Sequence, residues 1–204
     1  MEPRPYGGLG AKSMGSGRDS TIGVRGWGLS GPGVGGWMTA MILRPFVPAD
    51  REHVLALNND AVPAVSRLAG SDLDRLVAWA ESVTVAAEDT AVLGFLIGLT
   101  GPGLPYGSDN YAWLSDRYSS FLYVDRVVVG PAAKGCGVGQ SLYRHIVAVG
   151  ASRFPVLLAE VNTQPRNEES LRFHERFGFT SVGHASTEGG TKEVVYLELA
   201  LPAD

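Results

Sequence analysis

Three glycines at alternate positions, Gly135, Gly137 and Gly139, are the strongest chemical signal in this sequence. They follow a run of β-branched residues typical of a strand, and an apolar pattern with helical spacing follows them. Glycine lets a backbone turn tightly and direct several N–H groups toward one ligand. The start of a helix adds further N–H donors and a partial positive charge. The turn therefore predicts a site for an anion such as a phosphate or pyrophosphate group.

Two common phosphate loops fit this turn poorly. A Walker loop requires Gly-x4-Gly-Lys-Ser/Thr, but Cys136 and Gly137 stand where Lys and Ser/Thr belong. A dinucleotide fingerprint requires Gly-x-Gly-x-x-Gly, but Gln140 takes the place of the third glycine. A third pattern, a basic residue followed by x-x-Gly-x-Gly, fits Lys134, Gly137 and Gly139.

That third pattern resembles the pyrophosphate loop of the GCN5-related N-acetyltransferases (GNAT), here in the segment VGPAAKGCGVG at 129–139. The segment NEESLRFHERFGF at 167–179 resembles the second motif of the same family. Together with a helix pair after the first strand, the resemblance covers about residues 41–201. It implies an enzyme that moves an acetyl group from acetyl-CoA to a primary amine, by direct attack in a ternary complex.

The resemblance also implies which residues hold the cofactor. Backbone at 127–129 would pair with the pantetheine arm as if it were a further strand, and the loop amides would bind the pyrophosphate. Asn167 matches an asparagine that often contacts the cofactor. The expected cofactor-binding residues are Val127, Val128, Val129, Lys134, Gly135, Cys136, Gly137, Val138, Gly139, Gln140 and Asn167.

His174 stands where the family commonly has the tyrosine that protonates the leaving thiolate. An imidazolium is a competent acid near neutral pH, so the motif predicts a catalytic role. The alternative interpretation is a histidine on the helix surface without a role.

Asp125 is the first candidate for the base that deprotonates the amine. Strict alternation along the strand places it on the same face as Tyr123, Val127 and Val129. A carboxylate among apolar residues needs a partner or a function, because unpaired burial is costly. The function would be amine deprotonation, and the alternative is an ion pair with Arg126 or another basic group.

The acceptor amine is expected between the first helix pair and a long loop at 100–120. Polar residues interrupt the apolar side of the first helix, aromatic residues crowd the loop, and Glu160 and Asn162 end a strand. Packing of the loop against the domain is the alternative interpretation for its aromatic residues. The candidate substrate-binding residues are Asn58, Asn59, Tyr111, Tyr118 and Glu160.

Short strands alternating with helices predict a mixed α/β fold. We expect a mostly antiparallel central sheet flanked by helices, and the resemblance implies that the last strands splay to bind acyl-CoA. We expect strands at 41–46, 83–87, 91–99, 121–129, 156–161, 179–183 and 193–201. Helices are expected from Pro48 to about Leu68, from the N-cap Ser71, over 138–153, and over 170–177 before Gly178.

The composition narrows the protein class. Hydrophobic residues make up 45% of the 204 residues, so the chain can form a core, and no apolar run is long enough to cross a membrane. A net charge of −4 without a basic block argues against nucleic acid. The single cysteine excludes an internal disulfide and a Cys-based zinc site, and suits the cytoplasm. No metal is predicted.

Residues 1–40 are rich in glycine and lack apolar periodicity, so we expect a disordered extension before an acetyltransferase domain at 41–204. The extension is either a linker or a segment upstream of a chain that starts at Met41. The acceptor is expected to be an amine-bearing small molecule or a protein lysine or N-terminus, and nothing in the sequence decides between a monomer and a homodimer. The rival function is a non-catalytic acyl-CoA sensor or regulatory module.

Overall fold

In the computed structural model, which describes residues 22–23 and 41–203, a single mixed sheet forms the centre of the protein. The strand order is β1-β2-β3-β4-β5-β6-β8-β7, and every neighbouring pair is antiparallel except β5 and β6. The strands are β1 Ile22–Gly23, β2 Ile42–Pro45, β3 Ser82–Glu88, β4 Ala91–Gly101, β5 Phe121–Val129, β6 Val156–Gln164, β7 Thr180–Thr187 and β8 Lys192–Ala200. The predicted fold class is confirmed.

Helices cover both faces of the sheet. Residues of α4 and α5 join the hydrophobic cluster on one face, and residues of α1, α2 and α3 join the cluster on the other. The helices are α1 Arg51–Asp60, α2 Gly70–Trp79, α3 Asp109–Ser115, α4 Val138–Gly150 and α5 Glu168–Phe177. Among the described residues, none of these helices is long and apolar enough to span a bilayer.

Several predicted bounds agree with the structure. Strand β5 has the predicted limits, the β3–β4 hairpin turns after Glu88, and α5 ends at Gly178 in the left-handed conformation with φ of +108°. The prediction of a disordered segment at 1–40 lies outside the described residues, apart from the two residues of β1, which pair with β2.

Three local predictions were wrong. The first helix ends at Asp60 rather than near Leu68, because the side chain of Asn59 bonds to the backbone of Leu68 in the loop that follows. The second helix begins at Gly70 after Ala69, so Ser71 lies inside it instead of capping it. The long loop contains α3, whose N-cap Ser108 accepts a hydrogen bond from the backbone N–H of Tyr111.

A β-bulge in β5 contradicts the predicted alternation around Asp125. In the register with β4, Gly98 pairs with Val124 and Ile97 with Arg126, so Asp125 is the extra residue. One added residue exchanges the faces for the remainder of a strand. Tyr123 therefore belongs to the core on the α1–α3 face, whereas Val127 and Val129 pack on the α4–α5 face.

Candidate active site

The centre of the sheet is open between β5 and β6. These two strands pair only at Leu122–Leu157 and Tyr123–Leu158, beyond which they diverge. The splayed pair is thus β5 and β6, not the last two strands β7 and β8, which pair along most of their length. A cleft of about 640 Å³ fills the gap, and its wall includes Phe173 from one face of the sheet and Tyr106 from the other.

Strand β5 presents unpaired backbone to this cleft. The N–H of Gly130 donates to the carbonyl of Leu93 in β4, at 2.8 Å. Because alternate residues of a strand direct their peptide groups to opposite sides, Val129 and Val127 direct theirs away from β4. The side facing away from β4 is where β6 has diverged, so an extended ligand can pair there.

The glycine turn adjoins that edge. Gly135 and Gly137 have φ of +77° and +80°, and a Cβ built on either would have no heavy atom within 4 Å. Gly137 is the N-cap of α4, whose first amides have no partner within the helix and lie at the cleft wall. Gly139 differs, because it is helical and its Cβ would meet Phe173 and Val129 at 3.7 Å, an ordinary contact.

The polar residues around the turn have mixed placements. Lys134, Gln140 and Asn167 line the cleft, whereas Cys136 is exposed and outside its wall. The ammonium group of Lys134 lies 2.7 Å from the Glu169 carboxylate. The side-chain oxygen of Asn167 accepts the backbone N–H of Ser170 at 3.2 Å and so caps α5. Asn167 therefore has a structural role whether or not it contacts a ligand.

His174 is buried, with 2% of its surface exposed. Its Nδ1 donates to the carbonyl of Ser170 at 2.8 Å, so Nε2 accepts the hydroxyl proton of Tyr143 at 2.6 Å. Burial lowers the pKa of His174, which keeps the ring neutral at neutral pH. The expectation of a catalytic imidazolium does not fit this environment, because both ring nitrogens are engaged and the charged form is disfavoured. The alternative interpretation, a histidine on the helix surface, is wrong because the ring is buried.

Asp125 is fully paired. Arg126 Nε donates to one carboxylate oxygen at 2.7 Å, and the hydroxyl of Tyr106 donates to the other at 2.6 Å. The side chains of Asp125 and Arg126 are 2% and 7% exposed. Of the two interpretations of Asp125, the geometry favours the ion pair with Arg126.

Glu160 has the environment that was expected for a base. It lies in β6 beside the point where β5 diverges and lines the cleft. Its carboxyl oxygens accept hydrogen bonds from Asn110 at 3.0 Å and from the Tyr123 hydroxyl at 2.8 Å. The side chain is partly open to the cleft but surrounded by protein, and this desolvation raises the pKa of Glu160 to about 8.

The asparagines of α1 are not in the cleft wall. Asn58 is fully buried, donates to the carbonyl of Ser66 at 3.0 Å and accepts from Arg126 at 2.9 Å. Asn59 bonds twice to the backbone of Leu68. Both side chains hold the α1–α2 loop (61–69) in place, so the structure assigns them a supporting position instead of contact with an acceptor.

The two tyrosines predicted for the acceptor site are also outside the cleft wall. The Tyr111 hydroxyl donates to the carbonyl of Thr100 at 2.8 Å, and the ring is buried against Phe121 and Tyr123. The Tyr118 hydroxyl donates to Glu198 at 2.7 Å. Packing of the loop is thus the better interpretation for these rings.

Comparison with known proteins agrees with this architecture. The family model described as "Acetyltransferase (GNAT) family" matches residues 52–179, well over half of the chain. The chain belongs to the GNAT acetyltransferase family. Membership makes the protein an acyltransferase and confirms the resemblance seen in the glycine turn and the second motif.

Individual relatives of this GNAT protein are distant. It is 31% identical over 78 residues to the peptidyl-lysine N-acetyltransferase YjaB of Escherichia coli K12, a match covering 38% of this chain and 49% of that protein. An N-acetyltransferase from Staphylococcus aureus Mu50 has a TM-score of 0.60 at 20% identity, over 79% of this chain and 99% of the other. Arabidopsis thaliana NAA60 in complex with acetyl-CoA has a TM-score of 0.62 at 15% identity, over 79% and 98%.

Several residues of the GNAT cleft were not predicted from sequence. Asn110 holds Glu160 but belongs to α3, which was expected to be loop. Tyr123 was noted only as a neighbour of Asp125, and Tyr143 matched no motif. The Ser108-Asp109 pair after Gly107 is a typical helix start and was the one available signal for α3.

Proposed function

We propose that the protein transfers an acetyl group from acetyl-CoA to a primary amine, with Glu160 as the base that accepts the proton of the amine. The observation that carries this proposal is the position of Glu160, a carboxyl group with a pKa of about 8 in the gap between β5 and β6. A group that titrates near the working pH is well matched to proton transfer.

The donor side of the cleft suits a long phosphorylated thioester. The first amides of α4 and the left-handed backbone at Gly135 and Gly137 would bind the pyrophosphate. The unpaired backbone of Val127 and Val129 would hold the pantetheine arm in extended form. When bound, acetyl-CoA supplies an activated acetyl group and a thiolate leaving group.

Glu160 and its neighbours perform the acid–base step on the acceptor side. An alkylammonium group has a pKa near 10, so an ordinary glutamate is a poor base for it. With a pKa of about 8, Glu160 comes within about two units of that value, and about a tenth of it is ionised at pH 7. Removal of the ammonium proton by Glu160 leaves the nitrogen lone pair available for attack.

Hydrogen bonds keep the Glu160 carboxyl aimed into the gap. The Asn110 amide and the Tyr123 hydroxyl each donate to one of its oxygens. Asp125 then serves as a positioning group, because its pairing with Arg126 and Tyr106 holds the bulge of β5 beside the cleft. The relative YjaB is named a peptidyl-lysine N-acetyltransferase, and a lysine side chain carries a primary amine, which supports a primary amine as acceptor. A cytoplasmic location, inferred from the single cysteine, accompanies this proposal.

Two measurements test the proposal. The first is a thermal-shift titration with acetyl-CoA, CoA, ATP and NAD in parallel, because a ligand at about 100 times its Kd stabilises a protein by about 2.7 kcal/mol. We expect a rise in Tm with acetyl-CoA and CoA alone. The second is thiol release from acetyl-CoA with a panel of primary amines.

The outcomes distinguish an acetyltransferase from a non-catalytic acyl-CoA sensor. Amine-dependent thiol release that disappears in Glu160→Gln supports the proposal. Binding of acetyl-CoA without turnover on any amine would instead identify an acyl-CoA sensor, and a shift with ATP or NAD alone would show that the glycine turn binds a different anion.

A further inference from the structure

The carboxyl group of Glu160 lies at the end of a chain of hydrogen bonds that begins behind the cleft wall. The side-chain NH2 group of Asn110, in α3, donates to one carboxyl oxygen at 3.0 Å. The side-chain oxygen of Asn110 in turn accepts the hydroxyl proton of Tyr196, in β8, at 3.1 Å. The chain therefore runs from Tyr196 through Asn110 to Glu160, and each step donates toward the carboxyl group.

The position of Tyr196 is fixed by packing. Tyr196 lies directly opposite Glu160 in the β6–β8 pair, so both side chains are on the same face of the sheet. Its ring is fully buried and stacks on Trp113 of α3, with the ring centroids 3.9 Å apart and the planes 12° from parallel. Asn110 and Trp113 are three residues apart and share a face of α3. The helix therefore places an amide on the carboxyl group and an indole on the tyrosine ring at the same time.

A side-chain amide can face a carboxyl group in two ways. Its NH2 group donates, which suits an ionised carboxylate, whereas its oxygen accepts, which suits a protonated carboxyl. Because the Tyr196 hydroxyl donates to the oxygen of Asn110, the NH2 group is the end that faces Glu160. Without that hydroxyl, the amide would be free to turn and accept the proton of a protonated Glu160.

The surroundings of Glu160 leave it mostly protonated at neutral pH. Desolvation is the largest cause of its raised pKa, and a hydrogen bond from Tyr123 acts against it. The charge of Asp125 raises the pKa of Glu160 further, while the charge of Arg126 and the hydrogen bond from Asn110 lower it. The titratable groups around the carboxyl are those of Tyr123, Asp125 and Arg126 from β5, Tyr143 from α4 and Tyr196 from β8.

We propose that Tyr196 is a positioning residue of the acetyl transfer, whose hydroxyl group holds the Asn110 amide with its NH2 group toward the Glu160 carboxylate. This inference rests on the proposed function and adds a residue that lies outside the cleft wall, as the described residues define it. Tyr196 acts through Asn110 alone. Removing its hydroxyl therefore changes the ionisation of the base without removing a contact to either substrate.

Tyr196→Phe tests the inference, because it removes the hydroxyl and keeps the ring that stacks on Trp113. We expect the pKa of Glu160 to rise by about 0.5 or more, since the freed amide accepts from the protonated carboxyl. Carbon-13 NMR of the glutamate carboxyl groups during a pH titration measures this pKa in the protein without ligands, and Glu160→Gln identifies the resonance. The acid limb of the pH profile of kcat/KM should move upward by the same amount.

Tyr118→Phe is the matched control. It removes a tyrosine hydroxyl that donates to Glu198, in the same strand as Tyr196, at 2.7 Å. We expect this variant to leave the pKa of Glu160 unchanged. A second comparison repeats Tyr196→Phe in an Asn110→Ala background, where we expect no further change in the pKa because the amide that transmits the effect is absent.

The outcomes separate this inference from the proposed function. An unchanged pKa in Tyr196→Phe, or an equal rise in the Asn110→Ala background, would overturn the role of Tyr196 while leaving amine turnover by the wild type as evidence for the proposed function. Wild-type protein that binds CoA but acetylates none of the amines would overturn the proposed function, and with it any role of Tyr196 in catalysis. A rise in the pKa that requires Asn110, together with the matching shift in the pH profile, supports the inference.

Discussion

In the proposed function, the two halves of the cleft would recognise their ligands with different parts of the chain. The cofactor half, formed by the β5 edge and the glycine turn, presents mainly backbone groups at Val127, Val129 and 135–139. The acceptor half presents side chains, with Glu160 at its centre, contributed by β6, α3, the α1–α2 loop and the β7–β8 turn. Backbone recognition requires a short local motif, whereas the side-chain site requires that distant segments meet.

The two halves should therefore differ in how well they tolerate amino-acid substitutions. A motif that binds through amides depends on the conformation of a few glycines, so one substitution can remove it. The acceptor half depends on many separate contacts. Substitutions in its segments can therefore change which acceptor is bound without disturbing the binding of the donor. Substitutions should therefore separate donor binding from amine turnover, and the following experiments test that separation.

The largest effect is expected from Gly137→Val in the cofactor half. Gly137 has φ of +80°, a conformation that β-branched residues rarely adopt, and it begins α4. We expect the affinity for CoA to fall at least 100-fold, measured by calorimetry, with the circular dichroism of the fold retained. Gly107→Val is the matched control, because a Cβ at Gly107 would meet no heavy atom within 4 Å and its backbone is not left-handed. Equal CoA affinity in both variants would show that the turn has only a structural role.

Glu160→Gln should affect the acceptor half alone. Loss of a general base lowers kcat by about 10²–10⁴-fold, while the Kd for acetyl-CoA should change less than twofold. Assays of thiol release measure kcat, and calorimetry measures the Kd for acetyl-CoA. A variant with normal kcat would remove Glu160 from the mechanism, and a variant with weakened donor binding would break the separation of the two halves.

The pKa of Glu160 also predicts a pH dependence. In the folded protein the pKa of Glu160 is about 8, above the value near 4.5 in the unfolded chain. Between pH 4.5 and 8 the folded state therefore binds a proton that the unfolded state has lost. The free energy of unfolding should therefore fall as pH rises from 5 to 8. The buried His174 and the half-buried His145 act in the opposite direction, because desolvation lowers their pKa values. The difference in Tm between wild type and Glu160→Gln isolates the glutamate, and a pH-independent difference would contradict the raised pKa.

Asp125→Asn should act on stability more than on chemistry. Removing one partner of a buried ion pair costs about 3–5 kcal/mol, since Arg126 would keep its charge in a site where it is 7% exposed. We expect urea to unfold Asp125→Asn at a lower midpoint concentration than wild type. While the variant remains folded, its kcat should fall less than that of Glu160→Gln. A folded variant with unchanged stability and lost turnover would restore Asp125 as the base.

The smallest effect is expected from the Tyr143–His174 pair between α4 and α5. Either Tyr143→Phe or His174→Phe leaves a buried polar group without its partner, which costs about 1–3 kcal/mol. The double variant should recover part of this loss, because both polar groups are then absent. Urea unfolding of the four proteins forms a double-mutant cycle, with kcat within threefold throughout. A tenfold loss of kcat in folded His174→Phe would instead support the acid role expected from the motif.

Sequence patterns alone predicted the family, the sheet and the glycine turn of the proposed cofactor half. Strand β5, the left-handed glycines at 135 and 137 and the end of α5 at Gly178 are local features, encoded by residues adjacent in the chain. Periodicity and backbone preference report such features directly. The wrong predictions also have local causes: a bulge at Asp125 and a seven-residue helix at 109–115 are too short to alter a pattern.

The environments of the individual side chains depend on contacts that form only in the folded protein. Asp125 and Glu160 are both carboxylates near apolar strands, and their spacing does not show that Arg126 pairs with the first while Asn110 and Tyr123 hold the second. His174 occupies the acid position of the motif, yet burial against Tyr143 lowers its pKa. A pKa and a hydrogen-bond partner depend on groups brought close by folding. Tyr143, Tyr123 and Asn110 lie 31, 37 and 50 residues from their partners, and that information lies in no local pattern.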